Sequence, residues 1–206
     1  MIGEWVRKRT ADYFQRLAAV VAATGISANA ITGVGLVLSA VVGYLIAADR
    51  QVAAGLLLIL AGLLDGLDGS VARITKQQSP FGAFWDSTLD RLSESLIYLG
   101  VLVFYMDRAS SLGVVLAYVA VIGSLLVSYA RARAEGLGIK IRDGLMTRFE
   151  RLLVLIVGLI IGQLWIALWI LAIMSVFTVF QRMYIVWSVL RAQDVNTGPN
   201  GPQREG

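Results

Sequence analysis

The sequence predicts an all-α integral membrane protein, with six transmembrane helices preceded by an N-terminal interfacial amphipathic helix. Three observations lead there. Of 206 residues, 57% are hydrophobic and only 16% charged, against roughly 45–50% and 25% in soluble domains. Mean hydropathy is +0.73. The apolar residues gather in six runs of about the 20 residues that cross a bilayer core.

Taken in order, residues 1–22 mix Trp5, Tyr13, Phe14 and Leu17 with Arg7, Lys8, Arg9 and Arg16, a pattern suited to a helix lying in the interface. Glu4 and Asp12 interrupt any apolar stretch, so the segment does not read as a cleaved signal peptide. Spans are expected at roughly 30–48, 52–74, 83–106, 111–134, 145–162 and 164–190. Together with the first helix they form one domain, residues 1–195. The polar stretch 196–206, with Pro199 and Pro202, is expected to be a disordered tail.

An even number of spans puts both termini on one side, and charge chooses the side. Arg7, Lys8, Arg9, Arg16, Arg73, Lys76, Arg131, Arg133, Lys140, Arg142, Arg148, Arg151, Arg191 and Arg204 fall on one side of this topology, and only Arg50 and Arg108 on the other. Fourteen against two is a positive-inside signal. It predicts a multi-pass cell-membrane protein with its termini and its 2–3 and 4–5 connections in the cytoplasm. In that setting a net charge of +4 marks a membrane face, so no nucleic-acid partner is expected.

There is no Cys and no His. Disulfides, thiolate metal sites and imidazole catalysis are therefore excluded. What remains is an acidic cluster where a membrane chain should have none. Asp65 and Asp68, three apart, share a face of span two; Asp86 and Asp90, four apart, share a face of span three. Their mutual repulsion in a low dielectric calls for cations, and intramembrane carboxylates mark a functional site by default. A short connection would make spans two and three an antiparallel hairpin with all four carboxylates at one depth. Four hard oxygen donors suit Mg²⁺ or Mn²⁺, and two such ions are a recurring arrangement for displacement at phosphorus. Gly62 reads as helix packing. Gly69, beside Asp68, reads as room for a ligand, and Arg73 either snorkels to headgroups or holds a diphosphate.

The run Asp65-x-x-Asp68-Gly69-x-x-Ala72-Arg73, eight residues, then Gly82-x-x-x-Asp86-x-x-x-Asp90 resembles the signature of the CDP-alcohol phosphotransferase family. That resemblance implies a six-helix membrane enzyme, usually a homodimer, which transfers a phosphatidyl-type group from a CDP-linked lipid to an alcohol and releases CMP. It implies that Asp65, Asp68 and Asp86 bind one Mg²⁺ or Mn²⁺ and that Asp65, Asp86 and Asp90 touch a second. Asp90 would be the general base. Asn29, Thr32, Gly69, Arg73, Ser79 and Gly82 would contact the CDP-lipid, with Ala28 standing where many relatives have Pro.

A second stretch, Ser128 to Gly138 followed by Gly144 to Arg151, is rich in arginine. Arg131, Arg133, Arg148 and Arg151 either anchor the cytoplasmic face or hold an anionic acceptor through guanidinium forks. The stretch is similar to the phosphatidylinositol-phosphate synthase branch of the family, where it holds the phosphate of inositol 1-phosphate. Arg182, inside span six, matches a further basic residue of that pocket. The lipid substrate would be CDP-diacylglycerol or CDP-archaeol. Two rival readings remain: a phosphatidylglycerophosphate synthase using glycerol 3-phosphate, and a carboxylate-lined cation transporter. Trp165 and Trp169 are expected as interface anchors, and Tyr98, Tyr105 and Tyr118 as packing between helices.

Overall fold

A computed structural model describes residues 15–141 and 144–197. All regular structure there is helical: a short segment at 15–23, then α1 (Ala28–Ala47), α2 (Gln51–Ile74), α3 (Pro80–Asp107), α4 (Ser111–Gly136), α5 (Arg148–Ile160) and α6 (Leu164–Thr197). Local chemistry sets the starts. The Ser27 and Ser110 hydroxyls accept from the backbone N–H groups of Ala30 and Gly113 at 3.3 Å. Ser79 accepts from Gly82 at 3.0 Å, with Pro80 in the first helical turn. At α5, Glu150 accepts from the Thr147 backbone N–H at 2.8 Å and also from its hydroxyl, a capping box.

That capping box corrects one expected span. Hydropathy predicts 145–162, but the helix covers 13 residues, roughly 20 Å of rise against a bilayer core of about 30 Å. The last helix departs in the opposite sense. It has 34 residues, roughly 51 Å, so Asn196 and Thr197 continue α6 and do not belong to a coil; residues 198–206 lie outside the described residues. Loop residues Ile139 and Ile141 pack on the overhang of α6, with Ala134, against Ile185, Val186 and Val189. Among the described residues, four helices, α1, α2, α4 and α6 up to Gln193, are long and apolar enough to cross a membrane. The charges of α3 and the length of α5 set those two apart.

The N-terminal helix expected over 1–22 is described only from residue 15, with Trp5, Tyr13 and Phe14 outside the described residues. Its last turns do more than lie on a surface: Ala18 is fully buried and packs with Ile31, Leu67 and Val71.

The six helices close a ring in the contact order α1, α2, α5, α6, α4, α3 and back to α1. This changes one expectation. Helices α2 and α3 do not form an extended packed hairpin; each packs along α1. Away from the acidic end the ring is filled by Val42, Leu58, Val101, Ala120, Leu159 and Leu168, one from each helix in turn. Outward-facing residues such as Val37, Leu56, Leu99, Leu126, Leu153 and Ile173 are apolar as well. Such a chain has little hydrophobic drive to associate within lipid, so close packing of small residues joins its helices. Gly100 lies against the backbone carbonyl of Gly43 where α3 meets α1. Gly123 meets Ser175 between α4 and α6, and a Cβ on Gly62 would stand 2.8 Å from Leu152 Cδ2, so Gly62 packs as expected. Tyr98 and Tyr105 are buried, whereas Tyr118 is 59% exposed and faces outward. Trp165 is partly exposed and packs near Tyr105 and Trp169.

The glycine contact makes a stability prediction. In Gly100→Val the new side chain meets a backbone carbonyl that cannot rotate away. Overpacking of about 1–3 kcal/mol or more is expected. Thermal unfolding in detergent should show a lower midpoint than wild type, and an unchanged midpoint would contradict the packing.

Candidate active site

Asp65 and Asp68 project from the last turns of α2, Asp86 and Asp90 from the first turns of α3. Carboxylate oxygens of Asp65, Asp68 and Asp86 all lie within 4.8 Å of one another. Asp68 is only 5% exposed and is held at both oxygens. The Thr32 hydroxyl donates to its Oδ2 at 2.8 Å, and the Gly69 backbone N–H donates to its Oδ1 at 2.5 Å. Thr32, expected to touch the nucleotide, thus also acts on the acidic cluster by holding Asp68. Oxygen-only donors at this spacing fit a hard divalent cation such as Mg²⁺ or Mn²⁺.

Asp90 falls outside that trio but lies beside Asp65. Arg148, the first residue of α5, inserts one guanidinium nitrogen between α2 and α3. Its Nη1 lies 2.6 Å from both oxygens of Asp65 and 2.9 Å from Asp90 Oδ2. Asp65 therefore belongs both to the trio and to an arginine-bridged pair with Asp90.

Two cavities meet at this cluster, because α1 holds α2 and α3 apart. The first is lined by Asn29, Thr32, Gly69, Arg73, Ser79 and Gly82, with Asp68 and Asp86 at its edge. All six residues expected to contact the CDP-lipid are therefore gathered there. Gly69 leaves open space, the nearest atom to an added Cβ being Arg73 Nη1 at 3.7 Å. Arg73 donates to Ser70 Oγ at 2.9 Å, which keeps its guanidinium at the cavity wall. Gln77 and Gln78 also line this cavity, which the motif does not reveal. The second cavity is lined by Asp65, Asp68, Asp90, Glu94, Arg148 and Arg151 at its polar end and by Leu58, Ile97 and Leu155 below.

The five arginines expected to form one acceptor pocket do not all meet. Arg148 and Arg151 line the second cavity. Arg151 is buried and held in three directions: Nε and Nη2 donate to the Glu94 carboxylate at 2.9 and 3.2 Å, and Nη1 to the Met146 carbonyl at 3.1 Å. Arg182 is buried behind them and donates to the Val127 carbonyl at 2.5 Å, while its Nε has no partner. Arg131 and Arg151 are within electrostatic reach of it. Arg131 itself pairs on the surface with Glu135 at 2.9 Å and lines a separate depression with Lys140. Arg133 is exposed and lines neither cavity of the site. Residues two apart point to different faces of a helix, so 131 and 133 on α4 cannot both turn inward. Glu94 is the residue the motif misses. It lies one helical turn beyond Asp90, so the four-residue spacing of Asp86 and Asp90 extends to it.

Comparison with known proteins agrees with this geometry. The family model for CDP-alcohol phosphatidyltransferase matches residues 25–189. The chain is 32% identical over 180 residues to an archaetidylinositol phosphate synthase of Pyrococcus horikoshii, covering 87% of this chain and 93% of that one. It is 37% identical over 167 residues to an archaetidylinositol phosphate synthase of Methanothermobacter thermautotrophicus, covering 78% and 82%. Among solved structures it is similar to a phosphatidylinositol phosphate synthase of Mycobacterium tuberculosis with CDP-DAG bound, at a TM-score of 0.78 and 26% identity, covering 94% of this chain and 98% of that one. A complex of the same enzyme with manganese and citrate has a TM-score of 0.76 at 26% identity, with 94% and 93% covered.

Proposed function

The chain belongs to the CDP-alcohol phosphatidyltransferase family, and from that premise we propose that it is a phosphatidylinositol-phosphate or archaetidylinositol-phosphate synthase. The acceptor hydroxyl of inositol 1-phosphate attacks the phosphorus nearest the lipid of CDP-diacylglycerol or CDP-archaeol; the P–O bond to CMP breaks and CMP leaves. The observation that carries this reading is the acidic trio at the junction of two cavities, one with the CDP-recognition residues and the other with Asp90, Arg148 and Arg151.

Asp65, Asp68 and Asp86 would hold one Mg²⁺ or Mn²⁺, and Asp65, Asp86 and Asp90 would hold a second. Bound there, such ions would supply charge neutralisation to the diphosphate and the CMP leaving group. Asn29, Thr32, Gly69, Ser79 and Gly82 form the nucleotide pocket, and Arg73 meets the diphosphate as a fixed positive charge. Asp90 takes the proton of the attacking hydroxyl. Arg148 and Arg151, backed by Arg182, face the acceptor phosphate.

Six crossings fit this site best. In that arrangement α5, with 13 residues, is the short fifth crossing, and the segment before α1 lies at the interface. Both termini and the active site face the cytoplasm, consistent with the basic bias of that side. Residues 1–195 act as one membrane domain in the cell membrane, assembled as a homodimer.

The test is an assay of purified protein with CDP-diacylglycerol or CDP-archaeol and each acceptor in turn. CMP release is expected with inositol 1-phosphate and Mg²⁺ or Mn²⁺, and is expected to vanish with a chelator and return on adding metal. Release with glycerol 3-phosphate alone would replace the acceptor. Ion flux in liposomes without CMP release would favour a transporter.

A further inference from the structure

Among the described residues, Arg148 is the one basic side chain that pairs with the catalytic carboxylates of both α2 and α3. It bridges Asp65 at 2.6 Å and Asp90 at 2.9 Å, the two carboxylates that flank the second ion in the reading above. A guanidinium and a divalent ion cannot both stand between those oxygens at contact distance. The same side chain lines the cavity that Arg151 enters, where the acceptor phosphate is placed. Arg148 starts α5 directly after the Thr147 capping box, so its Cα is fixed while its side chain retains several rotatable bonds. It meets the carboxylates through Nη1 alone, and a phosphate would be an equally suitable oxyanion for the guanidinium.

Resting on that assignment of the site, we infer that Arg148 is an exchangeable counter-ion. It neutralises Asp65 and Asp90 until a divalent ion takes them, and it is then released to the acceptor phosphate. Metal loading and acceptor binding are thereby coupled through one side chain. The consequence is an order of events: acceptor phosphate binds well only after the metal, so no acceptor hydroxyl is poised next to Asp90 in a metal-free site.

The experiment uses full-length protein in detergent. Mn²⁺ binding is followed by the EPR signal of free Mn²⁺, and inositol 1-phosphate binding by calorimetry with chelator or with saturating Mn²⁺. Wild type should bind inositol 1-phosphate about tenfold or more tightly with Mn²⁺ than without, within the usual span of coupling. Linkage requires the acceptor to tighten Mn²⁺ by the same factor. In Arg148→Gln, acceptor-free protein should bind Mn²⁺ several-fold more tightly than wild type, because its competitor is gone, and the coupling should fall to about twofold or less. Arg148→Lys, which keeps one charged nitrogen but cannot offer two to a phosphate, should lie between the two and serves if the glutamine variant does not fold. Unchanged or weaker Mn²⁺ binding in Arg148→Gln, wild-type coupling retained in it, or Arg148→Lys matching wild type in both measurements would overturn the exchange. If wild type still releases CMP from inositol 1-phosphate in that case, the proposed function stands and only the exchange is lost. A wild type that neither binds Mn²⁺ nor releases CMP overturns both.

Discussion

Asp90→Asn should lower the rate of CMP release by about 10²–10⁴-fold, the range over which a positioned general base acts, while the protein stays folded. Asparagine has nearly the same shape but cannot take a proton. The substitution also removes a charge without stranding one. Arg148 keeps both oxygens of Asp65 at 2.6 Å, and Asp65, Asp68 and Asp86 remain within 4.8 Å of one another. Single-turnover CMP release measured alongside thermal unfolding in detergent separates the two effects. Activity within tenfold of wild type would take the base role away from Asp90. A collapse of the unfolding midpoint would mean that the residue is structural.

Glu94→Ala should be the most destabilising single change near the site, by about 3–5 kcal/mol, because it leaves a buried charge without its partner. The side chain of Arg151 is 2% exposed and that of Glu94 15%. Two guanidinium nitrogens lose their acceptors at once, and only the Met146 carbonyl remains. Since Arg151 ties the loop before α5 to α3 through these contacts, the acceptor cavity should deform as well. Glu94→Gln is expected to be milder, since one amide oxygen still accepts from the guanidinium. Unfolding midpoints should rank wild type, then glutamine, then alanine. In the glutamine variant KM for inositol 1-phosphate should rise more than KM for the CDP-lipid. An alanine variant as stable as wild type would mean that water replaces the carboxylate and that the pair holds nothing in place.

Much of the acidic half of the site is legible in the chain. Asp65 with Asp68, and Asp86 with Asp90, are separated by one helical turn, so a helix alone puts each pair on one face. Gly69, Arg73, Ser79 and Gly82 follow within the same short stretch, and the structure gathers them, with Asn29 and Thr32, into one cavity. The basic half is not legible in this way. Clustering in sequence leaves Arg131, Arg133, Arg148 and Arg151 as either membrane anchors or an acceptor pocket, and the resemblance adds Arg182, yet of these five only Arg148 and Arg151 line the cavity at the acidic cluster. The hydrogen bonds that orient the site join Thr32 to Asp68, Glu94 to Arg151 and Asp65 to Arg148, separated by 36, 57 and 83 residues. No local spacing encodes such contacts.

Composition, period-matched carboxylates and capping residues determine by themselves that the chain is helical, that it is apolar enough to enter a membrane, and which helix faces are acidic. These are short-range properties, fixed within one helix by its pitch and by the solvent it can tolerate. The tertiary structure alone decides that the helices close a ring with α2 and α3 both laid on α1, and hence that the carboxylates face one another across a gap with a cavity on either side. The physical reason is that lipid and protein interior are equally apolar, so hydropathy cannot say which face of a span turns inward. That choice is made by the few places, such as Gly43 against Gly100, where backbones come close enough to touch.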